Sequence, residues 1–464
     1  PSTTPVVAGA SSAPMCQAVI LHFGNLLHKC ISRCIERSQG ERDLGFFLLA
    51  DRKSFRILVL VQNLSLPFDR RVWNEATTLR AHGYDIVAIS PNSAGTPRWY
   101  EVVDGIEIFR YPHYEASISI LFVIEYVWTL FCTTILAWWI FATRGFRVIH
   151  ACNPPDLFFL VAAPFRLVFG TKFVFDHHDL CPELFQAKFG SLPLLNRVHV
   201  LLERATFALA DVSIATNESY RHVAVTRGRM KPENVFVVRS GPDLDRFRIP
   251  KLGEGERRAL RGAAAHVVGY VGVMGRQEGL SYLLAAARVL VRDRGHAALR
   301  FWLVGDGPDL PRLRAEARDL GIADQVVFHG RVSDDVLVKL LFSCDVCVNP
   351  DEYNAFNNLS TMNKIIEYMA LKRPIVQFDL EEGRVSAGAA SAFARPNDAV
   401  SMADEIEALL ADADRRARMG EIGYRRVVDL LAWQHQVPHL LSAYEAVTAR
   451  PATSAALQRP GGEA

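Results

Sequence analysis

Six stretches of the chain hold residue types that could do chemistry. In NNLSTMNKIIEYMAL, Ser360 and Thr361 stand where they cap a helix whose first turns carry Asn363, Lys364 and Glu367. A spacing of three puts Lys364 and Glu367 on one helix face, and an ammonium group beside free helix-start amides suits a phosphate. The plain alternative is a surface Lys–Glu pair on a capped helix. The turn VGVMGRQEG sets Gly272, Gly275 and Arg276 between a strand and a helix, where backbone amides can approach a phosphate; such turns also serve ordinary connections. Gly305, with Asp306 and Gly307, carries the same two readings. In FDHHDLCPE, His177, His178, Asp179 and Glu183 crowd a strand end, as hydrogen-bonding groups, as metal ligands, or as a structural histidine, His177 above all. LPFDRR offers Asp69, Arg70 and Arg71 as a charged site or as a solvated helix start. Cys344 and Cys347 have CxxC spacing, but strand residues three apart face opposite sides, which argues against zinc or redox chemistry.

These residues need elements to position them. FRILVLVQN (55–63), YDIVAIS (84–90), IEIFRY (106–111), RVIHACN (147–153), KFVFDHH (172–178), DVSIAT (211–216) and NVFVVRSG (234–241) are short Val, Ile and Phe runs, mostly separated by helix-length segments. Such continuous apolarity predicts parallel strands covered on both faces. After the polar stretch 248–265 the alternation restarts with HVVGYVGVMG (266–275), LRFWLVGDG (299–307), QVVFHGRV (325–332), CDVCVNP (344–350) and RPIVQF (373–378). The fold class is therefore α/β, with two doubly wound Rossmann-like domains, 55–247 and 266–430, facing a cleft that is the default site. A last helix follows over 431–450, bent near Pro438.

Residues 117–143 break this order. They carry one charge, Glu125, and reach about 40 Å as a helix. Strand runs flank the segment, and a true span would leave the halves of one sheet on opposite sides of a bilayer. One or two helices in one leaflet, or a re-entrant hairpin, are favoured, with Trp128, Trp138 and Trp139 near headgroups and Arg144 at the exit. A helix buried in a soluble core and a genuine span are the alternatives. The apolar stretch 157–169 reads as a crossover helix whose exposed face would extend a membrane patch.

Composition narrows the function classes. With 50% hydrophobic and 22% charged residues the 464-residue chain can bury sizeable cores, and 52 Lys+Arg against 50 Asp+Glu leave no global field to recruit nucleic acid. Eight cysteines without four-ligand spacing fit a reducing compartment. Residues 1–54 read as an extension, disordered over 1–14 and helical in part beyond, without the basic start of a secretory signal; 451–464 reads as a frayed tail.

RILVLVQNLSLPFDRRVWNEATTLRAHGYDIVAISP, VIHACNPPDLFFL, FDHHDLCPELF, LVGDGPDL, VVFHGRV and MNKIIEYMALKRPIV, in this order over roughly 55–445, resemble the family 4 glycosyltransferases of the GT-B fold, retaining enzymes that use a sugar nucleotide. Within that family the chain is similar to membrane-associated bacterial enzymes of polysaccharide assembly that extend a sugar on a polyprenyl diphosphate lipid. The resemblance implies that Glu367 bonds the ribose, that a neutral His178 donates a hydrogen bond beside the donor sugar, that the base packs by Arg331 and Val332, and that the last helix, 431–450, returns to the first domain. Gly272, Gly275, Arg276, Gly305, Ser360, Thr361 and Asn363 then belong to the donor site, with Lys364 as catalytic cation, and Asp69, Arg70, Arg71 and Glu183 to the acceptor side. The chain departs from the family where an Arg and a Lys are usual, at Val273 and Glu278, and at the first of two glutamates, where Leu359, or Asn354 if 351–359 is an insertion, stands instead. Lys364 and Arg276 are the cations left to replace those missing.

The resemblance implies no cofactor and no required metal, since GT-B enzymes neutralise the leaving diphosphate with protein groups. It also implies a nucleotide-diphosphate sugar, a lipid-linked saccharide and a membrane surface as partners, other polysaccharide-assembly proteins beside them, and a peripheral or monotopic place on the cytoplasmic face of a bacterial inner membrane. Two other classes stay open: a noncatalytic sugar-nucleotide-binding subunit of a polysaccharide complex, motivated by the missing groups, and a sugar-nucleotide epimerase, which would need no apolar segment.

Overall fold

A computed structural model of the chain describes residues 55–92, 98–112, 119–242, 244 and 247–448. The leader and helix expected within 1–54, the tail 451–464 and positions 117 and 118 lie outside the described residues.

The first domain is an eight-stranded sheet: β1 (Phe55–Leu60), β2 (Tyr84–Pro91), β3 (Tyr100–Val103), β4 (Ile106–Tyr111), β5 (Val148–Cys152), β6 (Lys172–His177), β7 (Val212–Ala215) and β8 (Val235–Val237), in the order β3-β4-β2-β1-β5-β6-β7-β8. All neighbours are parallel except β3 with β4. β3 is absent from the apolar runs because YEVV is an edge strand with alternating exposed residues. The second domain pairs β9 (His266–Val271), β10 (Leu299–Val304), β11 (Val326–Gly330), β12 (Val346–Asn349), β13 (Ile375–Phe378) and β14 (Ser391–Ala394), all parallel, in the order β11-β10-β9-β12-β13-β14. β14 is SAFA, too poor in branched residues to read as a strand.

Both sheets are covered on both faces, as the continuous apolar runs require: one layer packs Leu58, Leu60, Phe173 and Phe175, the opposite one Ile57, Val59, Val174 and Ile214. Phe247 already belongs to the second domain's core, beside Val267 and Trp302. The chain's last helix, Trp433–Thr448, returns to the first domain, where Leu440, Ala443 and Tyr444 are buried with Ile57 and Val59, and the Trp433 indole Nε1 donates to Thr78 Oγ1 at 2.9 Å.

The apolar segment is a single helix, Ser119–Arg144, not a hairpin and not a pair of helices. It leaves after β4 and returns into β5 of the same sheet, which excludes a span. Its length and composition would suffice for crossing a membrane, yet only 28% of its most apolar stretch is buried, so it is no core helix either. Thr129, Thr133, Ala137 and Ile140 face the sheet at helical spacing, and Glu125 turns inward to accept from Gln62 Nε2 at 3.4 Å. Ile124, Val127 and Phe131 stay more than half exposed. The three tryptophans do not form one belt. Trp128 donates to the Pro112 carbonyl at 3.0 Å, Trp139 packs edge-on against Phe109 of β4, and Trp138, partly exposed, lies on Phe165.

Candidate active site in the cleft

On the second domain, the turns after β9 and β10 are packed backbone to backbone at the carboxyl ends of the strands. Gly272 N–H donates to Val304 O at 3.1 Å, Met274 N–H to Asp306 O at 3.0 Å and Asp309 N–H to Met274 O at 2.9 Å. Gly305, at φ +130°, would drive a Cβ into the Gly272 carbonyl, so glycine is required there by both conformation and space. Gly275 opens the short turn Arg276–Glu278, and Arg276 is exposed, without an ion pair among the described residues. Arg331 is likewise exposed just after β11, while Val332 packs on the core beneath.

The helix Asn363–Ala370 starts at these strand ends, held by Tyr368, whose hydroxyl accepts from Val271 N–H at 2.9 Å and donates to Val348 O at 3.2 Å. Its amino terminus corrects the expected capping: Met362 precedes it without a side-chain bond, and Asn363 is exposed. Ser360 instead shares a 2.8 Å hydrogen bond with Tyr220 of the first domain, and Thr361 accepts from Asn217 Nδ2 at 3.0 Å. Their hydroxyls tie the domains together.

Lys364 is not a surface residue. It is buried, with Nζ 2.6 Å from Glu278 Oε2, 2.9 Å from Asp351 Oδ1 and 5.0 Å above the Tyr270 ring. Burial disfavours its charge, but Asp351 and Glu278 outweigh this and raise its pKa; burial in turn raises that of Asp351. The ammonium thus comes to the Gly-rich turn from the neighbouring helix, at the very residue, Glu278, that stands where a cation is usual. Asp351 gave no sequence signal, because its role depends only on what the fold sets beside it.

Glu367 faces the cleft. Arg70 of the first domain reaches it with Nη1 at 3.2 Å and Asp334 with Nη2 at 3.2 Å. Asp69, expected as an acceptor-side charge, caps the helix Arg70–Ala81 by accepting from Val72 N–H at 3.2 Å.

On the first domain, His178 follows β6 with its ring Nε2 against Asp176 Oδ2. Asp176 is fully buried; burial raises its pKa, but Arg71 and His178 hold it well below the usual carboxylate range. An ionised Asp176 accepts, so Nε2 carries the hydrogen, and Nδ1 of a neutral ring is then only an acceptor. In that tautomer the ring hydrogen expected from the sequence beside the donor sugar is engaged by Asp176.

Arg71 is not on the acceptor surface. It is buried, bonding Asp176 at 2.9 Å, Glu75 at 3.1 Å and Val238 O at 2.7 Å. Glu183 is likewise withdrawn, 2.5 Å from Arg227, which also pairs with Glu203 at 2.6 Å. The His-His-Asp cluster does not form. His177 is buried between Phe175, Phe207 and Tyr220, with ring centroids 5.2–5.3 Å apart, and burial pushes its pKa down to about 3. The carboxylates and imidazoles that do converge are Glu75, Asp176 and His178, beside His150 and Cys152, and Arg71 supplies positive charge there. Glu75, four residues after Arg71, is the one member that helical spacing could have found. Cys344 and Cys347 are buried and free.

Comparison with known proteins matches both domains. The profile described as glycosyl transferase 4-like domain covers residues 69–241, and that described as glycosyl transferases group 1 covers 265–412. The D-inositol 3-phosphate glycosyltransferase of Nocardia farcinica is 30% identical over 258 residues, 53% of this chain and 54% of that protein. The chain spans about half the length of the first curated relatives it matches. Among solved structures, sucrose-phosphate synthase from Thermosynechococcus elongatus superposes with a TM-score of 0.71 at 19% identity, over 85% of this chain and 99% of that one. Anabaena HepE in complex with UDP-glucose does so at 0.62 and 16%, over 84% and 99%. At these identities the likeness is one of fold.

Proposed function

Because the chain belongs to the family 4 glycosyltransferases of the GT-B fold, we propose that it moves a sugar, with retention of configuration, from a nucleotide-diphosphate sugar to a saccharide on a polyprenyl diphosphate lipid. The observation that carries this reading is the convergence of Lys364, Glu367 and the Gly-rich turns at the carboxyl ends of β9, β10 and β12, across the cleft from His178. Glu367 bonds the ribose once Arg70 yields it. The first amides of the helix Asn363–Ala370, Arg276 and the Lys364 ammonium balance the charge that grows on the diphosphate, and protein groups rather than a metal do this. The UDP-glucose held by HepE, of the same fold, supports a nucleotide sugar as donor.

Among the described residues no side chain stands out as a nucleophile. The leaving phosphate itself assists removal of the proton from the acceptor hydroxyl, while His178, oriented by Asp176, lines the donor-sugar side.

The lipid acceptor and a seat on the cytoplasmic face of a bacterial inner membrane are supported by exposed apolar residues on three helices of one domain. Ile124, Val127 and Phe131 lie on Ser119–Arg144, Leu167, Val168 and Phe169 on Phe159–Phe169, and Leu194, Leu195 and Leu201 on Pro193–Leu209. Covering each such side chain contributes roughly 1.5–3 kcal/mol, which favours a helix lying in one leaflet.

A screen of sugar nucleotides with purified protein and lipid-linked acceptors, read by mass, tests the proposal; no transfer with any pair would overturn it. Donor binding without turnover would point to the second reading, a noncatalytic binding subunit, which the sequestering of Lys364 by two carboxylates favours.

A further inference from the structure

The buried groups behind His178 form a chain that ends on a helix from the far end of the sequence. Asp176 Oδ2, which receives His178, lies 3.4 Å from Nε2 of His150. The same Nε2 is 3.4 Å from Glu75 Oε2. On the other side of the ring, His150 Nδ1 is 2.7 Å from the hydroxyl of Tyr444, and the two rings lie within 8° of parallel. Tyr444, His150, Glu75 and Asp176 are each at most 1% exposed, so no water relieves a wrong hydrogen pattern.

The chemistry of the ring selects one arrangement. Asp176, held ionised by Arg71 and His178, faces Nε2, and a lone pair there would oppose it, so Nε2 carries the hydrogen; Glu75, whose pKa burial raises, keeps its own proton and does not compete for it. Nδ1 is then an acceptor, and only the Tyr444 O–H can give it a hydrogen. The phenol thereby fixes the His150 tautomer, His150 orients Asp176, and Asp176 holds His178 at the cleft. Arg71, from the helix Arg70–Ala81, steadies the second oxygen of Asp176 at 2.9 Å.

We propose that Tyr444 is a positioning residue for His178, acting through His150 and Asp176, so that the docked C-terminal helix completes the reactive centre. The inference rests on the reading above that His178 touches the donor sugar. Because Trp433–Thr448 follows the second domain yet packs in the first, the centre is complete only when the chain's end is seated.

Tyr444→Phe tests this, since it keeps the buried ring and removes only the O–H. The expected result is a fall in kcat of about 5–20-fold, with donor Kd within twofold of wild type and Tm lowered by only a few degrees, since one buried acceptor loses its donor. In a His150→Gln background, where the amide NH2 donates to Asp176 without help, Tyr444→Phe should have no further effect. Wild-type kcat in Tyr444→Phe, or an equal further loss in the His150→Gln background, overturns the proposal. His178→Ala separates the two levels. If it turns over as wild type, the role of His178 itself fails and the proposal with it; if it is crippled while Tyr444→Phe is normal, only the positioning fails.

Discussion

The guanidinium of Arg70, in the first domain, holds the Glu367 carboxylate of the second at 3.2 Å, with Asp334 at 3.2 Å on its other terminal nitrogen. Arg70 is nearly half exposed, so each pair contributes at most about 1 kcal/mol. A ribose that bonds Glu367 has to displace this contact. Arg70→Ala is therefore expected to tighten donor binding by about 2–5-fold at low salt and to lose the gain near 1 M salt, as read by calorimetry at both ionic strengths. Weaker binding in the variant would assign Arg70 to the donor instead.

Glu367→Ala removes a charged acceptor from the nucleotide, and donor Kd is expected to rise by about 10–100-fold, the range for charge-assisted hydrogen bonds. Titration of the variant with the donor found by the screen checks this; wild-type affinity would refute the ribose assignment.

Lys364→Met should lower kcat by roughly 100-fold and also lower Tm, because Asp351 and Glu278 lose their shared cation. Adding Asp351→Asn should return much of the Tm but none of the turnover. Recovery of both would mean that Lys364 serves stability alone.

His177 predicts a pH effect with a definite sign. Its pKa is pushed down to about 3 in the fold and is about 6.5 unfolded, so between these values only the unfolded chain binds the proton. Stability from this group is full above about 6.5 and is lost as pH falls, by about 2 kcal/mol at pH 5. Thermal melts at pH 7 and pH 5 should show His177→Phe losing less Tm than wild type over that interval. Equal losses would contradict the buried neutral ring.

Leu167→Glu with Val168→Glu places charges on the two most exposed apolar positions of the helix Phe159–Phe169. Sedimentation with vesicles of phosphatidylethanolamine and phosphatidylglycerol is expected to fall at least about tenfold, with unchanged Tm. Unaltered partitioning would argue against this face as the membrane seat. Trp139 is a poor probe, since it packs on Phe109 and its loss would disturb the fold.

The apolar runs placed twelve of the fourteen strands, and the two missed, YEVV and SAFA, are short and lack a continuous branched run. The Gly-rich turns were legible because close backbone approach demands a missing side chain wherever it occurs. Single charges were less legible: Asp69 became a helix cap, while Arg71 and Glu183 turned inward to partners.

By itself the sequence determined two wound parallel domains, because strand and helix periods are local properties that apolar side chains impose over a few residues. What each charge does was decided only in three dimensions. Lys364 meets Glu278 across 86 positions, Arg71 meets Asp176 across 105, and Arg70 meets Glu367 across 297. A charge drawn into low dielectric must find a counter-charge or a hydrogen bond, and which residue supplies it depends on how distant segments pack.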